Sequence, residues 1–322
     1  MLKIDAKDRK LLYQLDLDSR QTLQQLAKKI GLSKDAVKYR INSLIKGGII
    51  KSFNAVVDSG KLGFIGFRMF LKFYALTPEK EQALIKDLLQ NENLVWMVHV
   101  EGAWDLNTWF LYRTIEEMNS FWEGFLESYA AVIEKREFGI YSEVTYFGRP
   151  FLLDKQHTDF SVKVVSLGPE EKLDALDLDI IRSLSKDARI PIVEMARSAK
   201  SAPKTILSHL RRLEEKRIIV GYRTEFDLDK LGVEYYKLHL SIFNASPQQV
   251  KRLKSYVSTH PNVVYVDSVL GGYDIEVEVQ IGSVDKMREF VGELRHEFAP
   301  IIRNYEILRY YHEYRLRFFP TK

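Results

Sequence analysis

The sequence of 322 residues contains no cysteine, which excludes disulfides, cysteine-based zinc sites and thiol nucleophiles. None of its seven histidines has the H-x-x-x-H or H-E-x-x-H spacing of a metal-binding helix. We therefore expect no metal and no cofactor. No apolar run approaches the roughly 18 residues that span a bilayer, and the N-terminal segment lacks the apolar core of a secretory signal. A cytoplasmic protein with no membrane partner is expected.

The net charge is only +4, so charge alone does not indicate nucleic-acid binding. Its distribution is uneven. Lys and Arg exceed Asp and Glu by seven in residues 1–54 and by three in 171–226, whereas residues 58–150 carry a net charge of −5 and 227–322 are neutral. Positive charge is therefore concentrated in two separate segments.

The chain repeats itself at a constant offset, the one that aligns Asp5 with Asp174. At this offset the letters "IDAKDRKLLYQL" align with "LDALDLDIIRSL", "KLG" at Lys61 aligns with Lys230, and "GAWDL" at Gly102 aligns with "GGYDI" at Gly271. Constant spacing across three landmarks indicates a duplicated unit. We predict a winged helix-turn-helix over 1–57, a ferredoxin-like domain over 58–150, a linker over 151–170, a second winged helix-turn-helix over 171–226 and a second ferredoxin-like domain over 227–322.

Residues 1–55 predict three short helices, because apolar residues recur there at helical spacing. Gly31 fits the left-handed end of the second helix and Ser33 fits the N-cap of the third. In the second copy Lys200 replaces the glycine, and Pro203 fits the first helical position. Alternating segments after the third helices predict a β-ribbon wing. The predicted core positions of the first copy are Leu11, Leu12, Leu15, Leu23, Leu26, Ala27, Ile30, Val37, Ile41, Leu44 and Ile45.

The remainder of each copy predicts the order βαββαβ. In "YYKLHLSIF", residues 235–243, Tyr236, Leu238, Leu240 and Ile242 fall on one face of a strand. This order is the ferredoxin-like plan, in which helices cover one sheet face and strand one lies beside strand three. The fold class is therefore α+β, and the uncovered sheet face needs a partner.

The third helix of each copy presents cations, amides, hydroxyls and a tyrosine on one face, which suits phosphate and base-edge contacts in a major groove. The alternative is a solvated basic face on an ordinary three-helix core. Helix-turn-helix spacing and the local positive charge favour double-stranded DNA. The candidate DNA contacts are Ser33, Lys34, Lys38, Tyr39, Arg40, Asn42 and Lys51 in the first copy and Lys204, Thr205, Ser208, His209, Arg211 and Arg212 in the second.

Residues 4–53 are similar over their whole length to the N-terminal winged helix-turn-helix of the Lrp/AsnC family of bacterial and archaeal transcription regulators. The following βαββαβ segments, with "GAWDL" and "GGYDI", resemble the ligand-sensing domain of that family. The resemblance implies a sequence-specific DNA-binding transcription regulator. Family members are normally single-copy chains that dimerise, so a fused tandem departs from the common form, as does "KSAPKTI" in the second turn.

The resemblance also implies a site for a small effector, often an amino acid, at the Gly-x-Tyr-Asp turn near a subunit interface. A glycine allows close approach, and a carboxylate can meet an ammonium group. The alternative is a turn glycine with an aspartate that bonds its own loop and needs no ligand. Trp104, in place of the family tyrosine, is expected to fill part of the first pocket. The candidate effector contacts are Gly102, Trp104, Asp105, Gly271, Gly272, Tyr273 and Asp274.

The uncovered sheet faces of the two copies differ. The second carries Lys237 and His239 beside Glu276 and Glu278, where the first has Arg68 and Phe70 beside Asn107 and Trp109. Fused copies can diverge because their contact need not be self-complementary. The hypothesis is an intramolecular pseudo-dimer of the sensing domains that places two unlike helix-turn-helix units on an asymmetric DNA site. Pairing of these faces between chains is the alternative, and further homo-oligomerisation stays open.

Two other functions compete with a regulator. Siroheme decarboxylases use a similar scaffold, and an enzyme of that kind needs a basic, histidine-bearing cavity for a polycarboxylate tetrapyrrole. His99, His239 and His312 lie on or near the predicted sheet but form no recognisable set. The other alternative is an architectural DNA-binding protein without an effector, which shares every DNA-facing feature.

Overall fold

The computed structural model describes residues 4–158 and 160–320. The sequence repeat is also a structural repeat, because the helices and strands of the first half recur in the second half with nearly identical relative bounds. The first half consists of α1 (Ala6–Leu17), α2 (Leu23–Ile30), α3 (Lys34–Lys46), β1 (Ile50–Val57), β2 (Ile65–Phe73), α4 (Pro78–Gln90), β3 (Leu94–Glu101), β4 (Leu106–Tyr112), α5 (Ile115–Tyr129) and β5 (Ile133–Phe147).

A short strand, β6 (Ser161–Val165), follows. The second half consists of α6 (Ala175–Lys186), α7 (Ile192–Ser198), α8 (Pro203–Glu215), β7 (Ile219–Phe226), α9 (Leu228–Leu231), β8 (Glu234–Ile242), α10 (Pro247–Thr259), β9 (Val263–Leu270), β10 (Ile275–Ile281), α11 (Val284–Phe298) and β11 (Ile302–Leu316). Within the described ranges, no helix is long and apolar enough to cross a membrane.

The helix-turn-helix geometry follows from local signals. Gly31 ends α2 with a φ of 73°, and the Ser33 hydroxyl accepts a hydrogen bond from the Ala36 amide at the start of α3. Lys200 adopts the same left-handed region at a φ of 49°, so the turn survives the loss of its glycine. The predicted core is buried or half-buried apart from Ile45, which is 44% exposed. The prediction that Ile45 is buried was wrong, because its position on α3 falls outside the face that packs into the core.

The predicted wings are corrected in one respect. β1 does not fold back on a neighbouring strand of its own copy; it pairs antiparallel with β7, so the two halves build one two-stranded sheet, called the ribbon below. Each segment has the alternation of a paired strand, but alternation does not identify the partner. The ribbon therefore joins the two helix-turn-helix units.

The eight ferredoxin-like strands close into a ring, called the barrel below. In each half strand one lies beside strand three, as predicted, which gives β5-β2-β4-β3 and β11-β8-β10-β9. The fourth strands β5 and β11 have 15 residues each, so one end pairs within its own sheet and the other reaches the opposite half. The two halves thus contact each other within one chain.

The helices cover the outer faces of both sheets. Tyr236, Leu238, Leu240 and Ile242 pack with α10 and α11 in one apolar cluster, and α4 and α5 cover the first sheet in another. The uncovered faces therefore meet each other inside the barrel. Within the stretch predicted as a linker, β6 extends the sheet by pairing with β5, and Leu152 packs into the first helix-turn-helix core.

Candidate nucleic-acid interface and the charged barrel interior

The outer face of α3 is available to a partner. Lys34, Lys38 and Asn42 are exposed, and Tyr39 is 74% exposed. Val37, Ile41 and Leu44 anchor the opposite face in the core of the unit. The structure therefore brings four of the predicted DNA contacts together on one helix face, beside the capped N-terminus at Ser33.

The outer face of α8 carries a different set of groups. Lys204, Thr205, Ser208 and Arg211 are exposed, while the helix begins at Pro203 and its N-cap residue makes no side-chain hydrogen bond. A helix N-terminus with free amides favours negative charge such as a phosphate. The two candidate recognition helices thus differ both in side chains and in capping.

Three of the predicted DNA contacts, Arg40, His209 and Arg212, form ion pairs within their own domain. Arg40 donates to Asp5 at 2.8 Å and Asp8 at 2.7 Å. These two carboxylates form the capping box that starts α1, and Asp8 is buried. A buried carboxylate is costly without a cation, and α3 supplies that cation.

In the second half, two residues of α8, His209 and Arg212, contact the corresponding carboxylates Asp174 and Asp177. His209 lies 2.9 Å from Asp177 through Nδ1, and Arg212 contacts both Asp177 and Asp174. His209 is therefore turned inward, whereas Arg212 is ion-paired but still partly exposed. Asp174, Asp177 and His209 also place three ligand atoms within 4.8 Å of one another, but Arg212 already neutralises the two carboxylates.

The remaining predicted contact, Lys51, is exposed on the ribbon and lies 3.9 Å from Glu225 of the paired strand. The ribbon and two arginines fix the units relative to each other. Arg20 donates to the carbonyl of Ala188, and Arg189, its counterpart in the repeat, donates to the carbonyl of Ser19. These reciprocal hydrogen bonds join the two helix-turn-helix units beside the ribbon.

The predicted effector turns lie at the junction of the two halves. Gly271 and Gly272 adopt φ values of 90° and 82°, and a Cβ at Gly272 would lie 2.5 Å from Glu137 and 2.6 Å from Arg68 of the first half. Tyr273 stacks on His239 at 4.3 Å and donates to Glu306. Contacts within the chain therefore occupy much of this turn.

The aspartates of both turns bond their own sheets. Asp105 accepts hydrogen bonds from the Phe73 amide and from Lys72, and Asp274 accepts from the Ile242 amide. Trp104 is 4% exposed and packs 5.6 Å from Phe70. Gly102 remains exposed, with a φ of 136°.

Five charged side chains from both halves meet inside the barrel in what we call the central charge cluster: Arg68, Lys237, Asp267, Glu276 and Glu278. Lys237 lies 2.7 Å from Glu276, 3.0 Å from Asp267 and 3.1 Å from Glu278. Arg68 contacts Glu276 from the first half. Each of these residues is at most 5% exposed.

The pKa values in this cluster follow from burial and charge together. Burial by itself would lower the pKa of Lys237, but the surrounding carboxylates, Glu276 first, hold it well above its usual value. Burial opposes ionisation of Glu276, yet Lys237 and Arg68 lower its pKa to about 2. Burial raises the pKa of Asp267 to about 7 despite Lys237. One carboxyl is thus firmly ionised and another titrates near neutrality.

A second buried network connects the first helix-turn-helix unit to the barrel. Asp16 of α1 accepts from the Arg149 side chain at 2.5 Å and from Arg223 of the ribbon at 2.7 Å, while Arg149 also donates to Gln280 of β10. None of the four residues Asp16, Arg149, Arg223 and Asp267 was predicted from the sequence as a site residue. Their only sequence signal is an unlike residue at the corresponding position of the other half, such as Val98 for Asp267.

The histidines of the enzyme alternative do not form one site. His99 and His312 lie opposite each other on the paired strands β3 and β11, and His99 contacts Glu81 at 3.1 Å and stacks on Tyr311. His239 lies elsewhere, buried against Glu306 at 3.3 Å and edge-on to a phenylalanine ring.

Comparison with known proteins agrees with the two helix-turn-helix units. A family model for winged helix-turn-helix DNA-binding domains matches residues 4–51 and again residues 173–220. The chain is thus a double winged helix-turn-helix protein.

Curated relatives match about one half of the chain. The HTH-type transcriptional regulator LrpC of Bacillus subtilis is 31% identical over 123 residues, which are 38% of this chain and 83% of that protein. The HTH-type transcriptional regulator AldR of Mycolicibacterium smegmatis is 30% identical over 122 residues, which are 38% of this chain and 71% of that protein. The chain therefore belongs to the Lrp/AsnC family of transcription regulators.

The duplicated arrangement also occurs in a solved structure. The siroheme decarboxylase NirDL matches with a TM-score of 0.63 and 12% identity, covering 96% of this chain and 92% of that one. At this identity the similarity shows a shared fold. The similarity extends over nearly the whole length of both chains.

Proposed function

We propose that the protein is a sequence-specific DNA-binding transcription regulator whose two helix-turn-helix units contact one DNA duplex. The observation that carries this proposal is the pair of exposed recognition faces on α3 and α8, held in one frame by the ribbon and by the reciprocal Arg20 and Arg189 contacts. The names of LrpC and AldR as transcriptional regulators support it. No catalytic residue is assigned in this proposal.

The operator is proposed to be asymmetric. Lys34, Lys38, Tyr39 and Asn42 on α3 differ from Lys204, Thr205, Ser208 and Arg211 on α8 in hydrogen-bonding groups. Identical recognition helices read identical half-sites, so unlike helices call for half-sites of unlike sequence. A single chain, acting as an intramolecular pseudo-dimer, supplies both recognition helices.

Modulation by a small effector such as an amino acid belongs to this proposal. Its candidate contacts are the turns 102–105 and 271–274, where exposed glycines leave the backbone open to a ligand. Because Asp105 and Asp274 each hold a backbone amide, an effector there would contact mainly the glycine backbone and Tyr273. An additional association between chains would enlarge these sites.

Fluorescence anisotropy tests DNA recognition directly. The pure protein is titrated against its own promoter and an unrelated duplex of equal length, at low and near-physiological salt. A preference for the promoter that survives the added salt supports a sequence-specific regulator, since specific contacts persist when counterion-release binding weakens. Equal and salt-sensitive binding favours the architectural alternative, and no binding at either salt contradicts both.

An enzyme is the second candidate, and the observation that favours it is the fold shared with NirDL across the whole chain. A polycarboxylate tetrapyrrole needs surrounding cations, whereas the barrel interior carries Asp267, Glu276 and Glu278 against Lys237 and Arg68. The absorption spectrum of protein incubated with a tetrapyrrole is the test. A shifted Soret band with saturable stoichiometry would favour the enzyme, and an unchanged spectrum would count against it.

A further inference from the structure

A small cavity lies where the barrel meets the ribbon, and four carboxylates line it: Glu225, Asp267, Glu278 and Glu313. We call it the carboxylate cavity. About 40 Å³ of it is available to water-sized molecules, which is more than a single water needs. Arg149 is the one cation on its wall among the residues that the structure describes, and it is already bonded to Asp16 and Gln280.

A second pocket of about 80 Å³ adjoins the cavity. Tyr235, Glu313, Phe226 and Leu228 line both spaces. Asp267 and Glu278 mark the deep end, because they are at most 5% exposed, whereas Glu225 and Glu313 are half-buried. The carboxylates of the cavity thus extend from fully buried to half-buried positions.

The negative charge is not fully compensated. Lys237, just behind the wall, bonds Asp267 and Glu278. Glu313 accepts a hydrogen bond from the Trp96 indole N–H. The ribbon residue Glu225 accepts one from a serine hydroxyl and lies 3.9 Å from a lysine. Among the described residues, no group donates to Oδ1 of Asp267, which is 2% exposed. A buried acceptor of this kind is expensive unless a donor reaches it.

The fold itself does not require these acids. The corresponding positions of the first half are Val56, Val98, Trp109 and Val144, and all four are buried in an apolar cluster. The same backbone frame therefore packs well with apolar side chains at every one of the four positions. The second half alone contributes four carboxylates to the cavity, and folding does not account for their presence.

The walls between the carboxylates are aromatic. Trp96, Trp109, Tyr141, Tyr235 and Tyr265 line the cavity. Aromatic faces attract organic cations, and carboxylates bind the N–H groups of such cations. An inorganic ion would gain less from the aromatic walls.

We propose that the carboxylate cavity binds a small organic cation, a short aliphatic amine with one or two ammonium groups. This site is distinct from the glycine turns at 102–105 and 271–274, and it does not depend on DNA binding. Glu225 and Phe226 belong to the ribbon, and Arg149 links the cavity to Asp16 of α1. An amine bound there would touch the elements that hold the helix-turn-helix units.

Isothermal titration calorimetry of the intact protein without DNA tests the site. The probe is 1,3-diaminopropane at pH 8, with 1,3-propanediol as the neutral control of equal length. We expect saturable binding of the diamine and no heat from the diol. Absence of diamine binding at millimolar concentration, equal binding of the diol, or displacement of the diamine by equimolar potassium or magnesium would overturn the proposal.

Substitutions locate the bound amine. Glu313→Gln keeps the acceptor for Trp96 and removes the charge, so it should weaken diamine binding about tenfold or more, as loss of a charge-assisted hydrogen bond does. Glu225→Gln is the second variant and should act in the same direction. Glu143→Gln is the matched control, because that carboxylate lies on the barrel surface and pairs with Lys163. Equal affinities in all three variants would contradict the assignment.

The pH dependence provides a further readout. Burial and the neighbouring Glu225 raise the pKa of Glu313 to about 7, and burial raises that of Asp267 to about 7. Both protons must leave for a cation to bind, so diamine affinity should fall from pH 8 to pH 6, and a constant affinity would contradict the assignment. The charged and titratable groups that face these two carboxyls are Lys51, Arg149, Glu225, Tyr235, Lys237, Tyr265, Glu276 and Glu278.

Discussion

The inner faces of the two sheets have the same backbone and opposite chemistry. Phe70 and Trp109 of the first sheet correspond to His239 and Glu278 of the second at the offset of the repeat. The edge of His239 meets the Phe70 ring at 5.2 Å, and Asn107 donates to Tyr310. Two identical subunits would have to bury like against like, and fusion into one chain removed that constraint.

The charged inner face of the second sheet also affects the stability of the fold. Buried charges stabilise a fold only when they are paired and hydrogen-bonded, and the second sheet carries more acids than it can neutralise alone. Lys237 meets three carboxylates, and Arg68 reaches Glu276 from the first sheet. The charged face is therefore adapted to this particular neighbour, which favours pairing within the chain over exchange between chains.

Removing the cation at the centre of the charged face should have the largest effect. Lys237→Met preserves the length of the side chain but leaves Asp267, Glu276 and Glu278 with Arg68 alone. Breaking a buried pair in this way costs about 3–5 kcal/mol. Urea unfolding at pH 7, followed by tryptophan fluorescence, measures the loss.

The surface residue Lys163 is the matched control for this variant. Lys163→Met breaks an exposed pair with Glu143, and such pairs contribute about 1 kcal/mol or less. Similar losses in the two lysine variants would show that the charged face is not held by Lys237.

The next effect is a pH dependence of stability to which the charged half contributes two carboxyls. Asp267 and Glu313 have pKa values of about 7 in the fold against ordinary values of 3.8 and 4.5. The folded chain therefore binds more protons, and the free energy of unfolding falls as the pH rises from about 4.5 to 7, by at most about 1.4 kcal/mol per pH unit for each group.

Glu276 acts in the opposite direction at lower pH. Its pKa of about 2 lies below the ordinary 4.5, so its contribution is complete above pH 4.5 and is lost as the pH falls toward 2. Urea midpoints between pH 3 and pH 8 should therefore pass through a maximum at about pH 4. Glu313→Gln should flatten the limb above that maximum, and an unchanged limb would contradict the role of Glu313.

The sequence predicted the repeat, the α+β class and the strand order because these depend on periodicity within each copy. It also predicted that Lys237 and His239 of β8 lie on the sheet face that the helices do not cover. It did not predict the ring, since β5 and β11 alternate identically whichever strand they pair with. The carboxylate cavity was missed for a related reason: residues as far apart as Trp96, Asp267 and Glu313 converge on it only after the ring closes.

Some site residues could be placed from the sequence and others could not. Helical spacing put Lys38 and Tyr39 on an outer face, where they lie. The same spacing could not reveal that Arg40 meets Asp5 and Asp8 on a different helix, because a helix surface pattern carries no information on tertiary ion pairs.

Single substitutions can separate the role of Lys38 in DNA binding from the role of Arg40 in stability. Lys38→Ala should reduce the slope of log affinity against log salt by about one, if Lys38 contacts a phosphate, and should leave stability unchanged within about 0.5 kcal/mol. Arg40→Ala should instead lower stability by about 1–2 kcal/mol, because it leaves the buried Asp8 without a cation. Anisotropy at several salt concentrations and urea unfolding separate the two.

The corresponding pair in the second half tests whether the same division holds there. Arg211 is exposed on α8, and Arg212 contacts Asp174 and Asp177. Arg211→Ala should change the salt slope and Arg212→Ala the stability. A salt slope that responds only in the first half would mean that α8 does not contact DNA phosphates.

The smallest expected effect concerns the caps of the two recognition helices. Ser33 caps α3, while Ala202 takes the same backbone conformation before α8, with φ and ψ of −77° and 143° against −72° and 157°. Ala202→Ser should therefore add a hydrogen bond without strain and raise the free energy of unfolding by about 0.5–1 kcal/mol, and Ser33→Ala should lower it by a similar amount. The double variant should be close to the parent, because the sites are independent. If Ala202→Ser also weakens DNA binding, the uncapped amides of α8 serve the phosphate backbone, and the loss of the cap in the second copy is functional.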